Sequence, residues 1–281
     1  MTTRELTLRA VRLRREIVDL IYGSKSGHIG GALSSADIVT ALFYSVMRFR
    51  PEEPDWPERD RFILSKGHCC EGYLCALADL GFFPKAELST FCKAGTRLIG
   101  HPNNAVPGVE MCTGSLGHGL SIAAGMAMAA KLDRKDWRVF VLMGDGEQDE
   151  GSIWEAAMFS AAHKLDNLYA ILDRNHLQIS GPTEDVMRLE PLREKYEAFG
   201  FHVEAVDGND MQAVLDGFDR LSRITGKPKL LLCDTLKGKG VSYMEGRTEW
   251  HEGAPKTEEQ YRQALEDLAR IEKEVEQACV E

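Results

Sequence analysis

The chain has 281 residues, enough to bury a substantial core in one large domain or two small ones. Its 43% hydrophobic and 28% charged content is that of an ordinary globular protein. A formal net charge of −10, with no basic run anywhere, argues against a nucleic-acid partner.

Leu6, Ala10, Leu13, Ile17 and Ile21 recur at helical spacing and predict an amphipathic helix over residues 3–22. This N-terminal stretch is charged throughout and has no apolar signal core, and no later stretch is as long as a membrane span. A cytoplasmic protein is therefore expected. Gly23 ends the helix, and the Gly-rich loop SKSGHIGGALSSADI follows with a single histidine, His28, expected to be exposed. Ser34 or Ser35 is expected to cap the next helix, which runs to about Met47. A Pro- and acid-rich loop over 50–59 leads to a short strand at 62–65. The loop Lys66–His68 and a helix over 69–80 come after it. A short helix at 84–92 precedes RLIGHPNN, which sets His101 on a Gly/Pro-bounded loop. TGSLGHGLS then opens a small-residue helix to about Leu132, with Gly114 and Gly117 at its start, where free amides favour an anion. Its Ala/Gly/Met face reads as close helix packing, at a subunit interface.

The most informative stretch is next. WRVFVLM (137–143) is an apolar run that predicts a buried parallel strand. GDGEQDEGSIWEA (144–156) follows, with Ser152 and Glu155 in capping-box spacing ahead of a helix over 153–164. A second buried strand at 168–172 ends in DRNHLQISG, placing Asn175 on the loop beyond it. If the two strands are neighbours, Asp145 and Asn175 share one sheet edge, the carboxyl edge where open α/β sheets bind ligands. A carboxylate, an amide oxygen and a backbone carbonyl form part of a hard-oxygen shell. Magnesium takes such shells when substrate phosphates complete them. The glycines flanking Asp145 allow the backbone to approach phosphates closely. A GDG tripeptide alone is also a common turn; the strand–GDG–helix–strand–Asn order is what gives it weight.

Beyond Asn175 the pattern predicts a helix at 191–199, a strand at 202–206, a helix at 210–223 and a buried strand at 229–233. KGKG (237–240) reads equally as a phosphate-facing loop or a solvated basic turn. His251 sits in an irregular stretch with the character of a lid. Thr257 caps a last helix, to about residue 279, with Tyr261, Leu265, Leu268, Ile271 and Val275 on one face. Seven cysteines (69, 70, 75, 92, 112, 233 and 279) have no zinc-type or redox CxxC spacing and read as reduced small hydrophobes. The sum is a single α/β domain: a doubly wound, mostly parallel sheet with helices on both faces.

In order, SKSGHIGG, SKGH, GHP, TGSLGHGLS, GDGEQDEGSIWEA, DRNHLQISG and KGKG resemble the N-terminal, diphosphate-binding domain of transketolase. The likeness is to the form found as a separate subunit of split two-subunit transketolases, and it spans nearly the whole chain. It implies the thiamine diphosphate-binding fold, with thiamine diphosphate and Mg2+ as cofactors. Asp145, Asn175 and the carbonyl of Leu177 match the metal ligands, and Gly146 the glycine beside the diphosphate. His68, Gly114 and Leu116 match residues at the cofactor, and Glu150 a glutamate linking two cofactor sites across a dimer. His28, His101 and His251 match histidines facing the sugar. His118 stands where glutamine is usual and is given no role, and the segment around His251 departs most from the full-length pattern.

The resemblance also implies transfer of a two-carbon ketol unit from a ketose to an aldose. Several imidazoles and no Ser or Cys nucleophile suit a reaction in which the cofactor is the nucleophile. A pyrimidine-binding domain, with its glutamate, is expected on a separate C-terminal subunit, in an α2β2 assembly that alone is active. Pentose phosphates are the family default, with unusual branched or sulfonated sugars as the alternative substrates. Two other readings stay open. A subunit of a 2-oxo acid dehydrogenase-like enzyme is favoured slightly by KGKG but not by SKGH, GHP or EGSIWEA. A non-catalytic cofactor-binding module would bind cofactor yet transfer nothing with any partner. A Rossmann nucleotide enzyme is weaker, since no GxGxxG follows the first strand.

Overall fold

A computed structural model of the protein describes residues 1–278; Cys279, included in the predicted last helix, lies outside them. The strands are β1 (Arg61–Leu64), β2 (Val139–Gly144), β3 (Leu168–Arg174), β4 (Leu177–Gln178), β5 (Gly181–Pro182), β6 (His202–Asp207) and β7 (Lys229–Asp234). Five form one sheet in the order β1-β2-β3-β7-β6, with every neighbouring pair parallel. β4 and β5 are a separate antiparallel hairpin. The helices are α1 (Thr3–Ser24), α2 (Ile29–Ser34), α3 (Ala36–Ala41), α4 (Glu71–Asp79), α5 (His118–Leu132), α6 (Gly151–Ala162), α7 (Thr183–Val186), α8 (Leu192–Ala198), α9 (Met211–Ser222) and α10 (Glu258–Gln277).

Period-two alternation in the strands supplies two cores. Phe62, Leu64, Phe140, Leu142, Tyr169, Ile171 and Leu231 point to the side covered by α1–α4, α9 and α10. Ile63, Val139, Val141, Leu168, Ala170 and Leu230 point to the other, under α5, α6 and α8. This is why the strands read as continuous apolar runs: both faces are covered. The chain moves one way through β1, β2 and β3, then reaches β6 and steps back to β7. Because parallel crossovers keep one hand, that reversal puts α9 on the opposite face from α5 and α6. The loops after β3 and β7 therefore part to opposite sides, opening a crevice at the carboxyl edge.

The predicted single helix after SGHIGG is broken. Ser34 and Ser35 do not cap it; the Ser35 hydroxyl donates back to the Gly31 carbonyl at 2.8 Å, competing with the backbone ladder, and the Ser34 hydroxyl gives its one proton to Asp173 at 2.7 Å. α2 stops there, α3 follows, and a π-turn at Leu42–Val46 finishes the segment. The capping box at Ser152 is also absent: its hydroxyl donates to the Gly117 carbonyl at 2.9 Å, and Glu150 occupies the N-cap with no side-chain cap bond. The short helix predicted at 84–92 is a 3-10 turn, Lys85–Thr90. By contrast, Thr257 caps α10 as expected, accepting from Gln260 N at 3.1 Å. Tyr261, Leu265, Leu268 and Ile271 pack into the first core beside α1. Among the described residues no helix is long and apolar enough to cross a membrane.

Candidate functional site

β2 and β3 are neighbours in register, Gly144 opposite Asp173, so Asp145 and Asn175 leave the sheet side by side. They line a cavity of about 300 Å3 at the carboxyl edge, together with Lys66, His68, Lys237 and His251. Asp145 is 2% exposed. Its Oδ1 accepts from Gly146 N at 2.8 Å, and its Oδ2 from His176 N at 2.6 Å and Arg174 Nη1 at 3.2 Å. Burial, then the nearby Asp173 charge, raises its pKa, while Arg174 opposes them. Asn175 Oδ1 accepts from Leu177 N at 3.2 Å, and the Leu177 carbonyl accepts from Lys237 Nζ at 3.0 Å. Among the described residues no three His, Cys, Asp or Glu side chains gather as a metal site. A cation here would rely on amide, carbonyl and ligand oxygens beside the one carboxylate, which is magnesium's habit at phosphate sites.

Two buried lysines bring positive charge to the same cavity: Lys66, not singled out in the sequence, and Lys237, from the KGKG motif. Lys66, 1% exposed, donates to Asp173 and, at 2.8 Å, to the Gly31 carbonyl. Lys237, 2% exposed, is the first residue of KGKG. That motif is therefore not a solvated turn: its lysine faces the cavity, and burial lowers its pKa. Nothing local in the sequence separates these two lysines from surface ones; only the parallel register brings the loops after β1 and β7 together.

Four imidazoles gather at the mouth. The ring of His28 lies 5.0 Å from that of His68, 6.3 Å from His101 and 5.9 Å from His251, and His68 stacks on His251 at 5.5 Å. His28 is half-buried rather than exposed, because its loop is clamped: His28 N donates to Glu71 Oε1 at 2.9 Å, and Gly253 N to the Gly27 carbonyl at 2.8 Å. Burial, followed by the Lys66 charge, depresses the His68 pKa to about 2; burial, followed by Lys237, takes His251 to about 3. His28 and His101 are lowered too, chiefly by burial. Near pH 7 these are neutral rings, each able to donate through one nitrogen and accept through the other.

The remaining expected residues divide. Gly114 and Leu116 line the cavity. A Cβ on Gly114 would sit 2.9 Å from His101 Cδ2, so the glycine makes room for that ring. Gly146 also lines it, but a Cβ there would meet Gln178 Cβ at 2.8 Å, and hairpin packing alone accounts for the glycine. Glu150 lies exposed outside the lining. His118 is exposed, its Nδ1 3.2 Å from the Leu116 carbonyl. The anion expected at the start of α5 is the protein's own: Glu147 Oε1 takes Gly117 N at 2.8 Å, and Gly119 N donates to Ser65 Oγ at 3.1 Å. Glu147, missed in the sequence although it directly follows GDG, also accepts from Ser65 and, at 3.0 Å, from Gly144 N.

A hard-oxygen edge with two buried ammonium groups suits a small anionic ligand carried with a cation, and the surrounding architecture is that of the diphosphate-binding α/β domains. Residues 5–274 match the family described as transketolase, thiamine diphosphate binding domain. A subunit of the apulose-4-phosphate transketolase of Phocaeicola vulgatus is 49% identical over 274 residues, 97% of each chain. The 6-deoxy-6-sulfo-D-fructose transketolase subunit SqwG of a Clostridium species is 43% identical, covering 87% of this chain and 89% of that one. The transketolase structure from Campylobacter jejuni superposes with a TM-score of 0.88 at 31% identity, over 94% of this chain and 43% of that one. The chain belongs to the transketolase family, as a thiamine diphosphate-binding domain whose relatives include proteins named as single subunits of a transketolase.

Proposed function

We propose that the chain is the diphosphate- and Mg2+-binding subunit of a transketolase, active with a separate pyrimidine-binding subunit in an α2β2 assembly. The observation that carries this is the convergence of Asp145, Asn175 and the Leu177 carbonyl with Lys66 and Lys237 on one crevice. The donor set fits the group. Hard oxygens suit magnesium, and Lys237, which donates to the Leu177 carbonyl, would release that oxygen to the metal and turn its ammonium to a phosphate oxygen. Gln178 Oε1, buried without a partner, lines the same cavity and is open to a donor.

When bound, thiamine diphosphate supplies the carbon nucleophile and electron sink for cleaving and remaking the bond beside a ketose carbonyl. The chain's own residues do the rest. Asp145, Asn175 and Leu177 hold the metal; Lys66 and Lys237 neutralise phosphate charge; His68 donates toward the diphosphate. His28, His101 and His251 orient sugar hydroxyls and carry protons to and from oxygen as neutral rings, which suits general acid–base work near pH 7.

The partner reading is supported by apolar surface. Ile179 lines the cavity and is 66% exposed, and Val186 and Met187 lie exposed just beyond its hairpin. Met158 and Phe159 are exposed on α6. Such surface is what a partner covers. The substrate is a ketose, with a phosphate ester as the default anionic group. Relatives named for apulose 4-phosphate and 6-deoxy-6-sulfofructose add branched and sulfonated ketoses to the range. Assaying the assembled pair against xylulose 5-phosphate, apulose 4-phosphate and 6-deoxy-6-sulfofructose donors tests this reading. Turnover with one class identifies the substrate; cofactor binding with no transfer from any would point to a non-catalytic module.

A further inference from the structure

Asp173, the penultimate residue of β3, is fully buried. Its carboxylate accepts from four side chains on four segments: Ser34 Oγ at 2.7 Å, Lys66 Nζ, Thr235 Oγ1 and Asn175 Nδ2 at 3.2 Å. Three of these donors converge on Oδ2, and because the Lys66 ammonium can only donate, that oxygen is an acceptor. That decides which way the Asn175 amide faces. Turned over, it would set its oxygen against the carboxylate and its amine against Leu177 N–H, two repulsive contacts in a dry setting. As it stands, the amine is held by Asp173 and the oxygen lies on the Leu177 side.

We propose that Asp173 is the positioning residue of the metal site, fixing the Asn175 amide with its oxygen presented to the cation. The inference rests on the reading of Asn175 as a magnesium ligand. Outer partners that orient a ligand are typically worth 10–100-fold in metal affinity, because the ligand no longer has to be turned and held when the metal arrives. The same carboxylate holds Lys66, so one buried anion aligns a metal ligand and a phosphate-facing cation.

The test is calorimetric titration of Mg2+ into the chain assembled with its pyrimidine-binding partner, with thiamine diphosphate in excess. Asp173→Asn can offer either an oxygen or an amine to Asn175, which releases the orientation, and a roughly 10–100-fold weaker affinity is expected. This variant leaves Lys66 buried beside a neutral group and its folding is at risk. Lys66→Met and the double variant Lys66→Met/Asp173→Asn provide the same comparison without that charge, and the same loss is expected between them. Affinity unchanged by Asp173→Asn in both backgrounds, with only the melting temperature lowered, would assign Asp173 to the fold and overturn the proposal. Asn175→Ala is the reference. If it too leaves the affinity unchanged, or the wild-type assembly takes up no magnesium with the cofactor, the metal-site reading itself falls and the proposal with it.

Discussion

Lys237 and His251 face each other across the cavity with Nζ 2.7 Å from Nδ1. An ammonium can only donate, so Nδ1 must be the bare nitrogen and His251 the neutral Nε2–H tautomer. Burial depresses this imidazole first and the lysine charge second, to about 3. Lys237→Met removes the second cause and should raise the pH at which His251 titrates, read by NMR of the ring protons. The same variant should weaken thiamine diphosphate binding. A His251 titration that does not move would place the ammonium elsewhere.

Asp145→Ala removes the one carboxylate offered to the metal. Magnesium-dependent cofactor binding should fall by more than the roughly 100-fold that an outer partner costs, and calorimetry measures it directly. Arg174, left buried, keeps Glu184 and Glu190 at 3.1 Å each. The loss of folding stability should therefore stay within about 1–3 kcal/mol. Unchanged cofactor affinity would refute the assignment of Asp145.

Acid should destabilise the site's histidine cluster. His68 has a folded-state pKa of about 2 against an ordinary value of 6.5. Between those values the unfolded chain binds a proton that the native one does not, so this contribution to stability falls as pH drops below about 6.5, by up to about 1.4 kcal/mol per pH unit. Glu71, pushed up by burial to about 7, works the other way: native Glu71 holds a proton that the unfolded chain has lost above 4.5. The test is thus a difference. His68→Asn should lose less melting temperature between pH 7.5 and 5.5 than the wild type. Equal losses would mean that His68 titrates normally.

His101 seats against the bare face of Gly114 at the cavity mouth, facing the other histidines rather than the oxygen ligands. His101→Ala in the assembled enzyme should lower kcat by about 10²–10⁴-fold, the range of general acid–base catalysis, with little change in cofactor affinity. The opposite pattern would move His101 from the substrate to the cofactor.

The sheet, both flanking layers and the meeting of Asp145 with Asn175 were legible because parallel strands covered on both faces leave long apolar runs, and GDG marks where one of them ends. What the sequence concealed depends on register. Lys66 and Lys237 are buried charges only because the loops after β1 and β7 converge, and no local pattern announces that. Asp173 reads as the polar end of an apolar strand, yet ties four segments. The serines at 34, 35 and 152 have capping composition, but each hydroxyl finds another acceptor: Asp173 for Ser34, the Gly31 carbonyl for Ser35 and the Gly117 carbonyl for Ser152. None of the three hydroxyls is left for a helix start.

The most direct test of the central claim is ketol transfer from xylulose 5-phosphate to ribose 5-phosphate, with thiamine diphosphate and Mg2+, by the chain alone and then with its co-purifying partner; a branched or sulfonated donor replaces xylulose 5-phosphate if the first pair is silent. The account predicts no turnover by the chain alone and turnover once the partner is added. Substantial transfer by the rigorously pure single chain would contradict it.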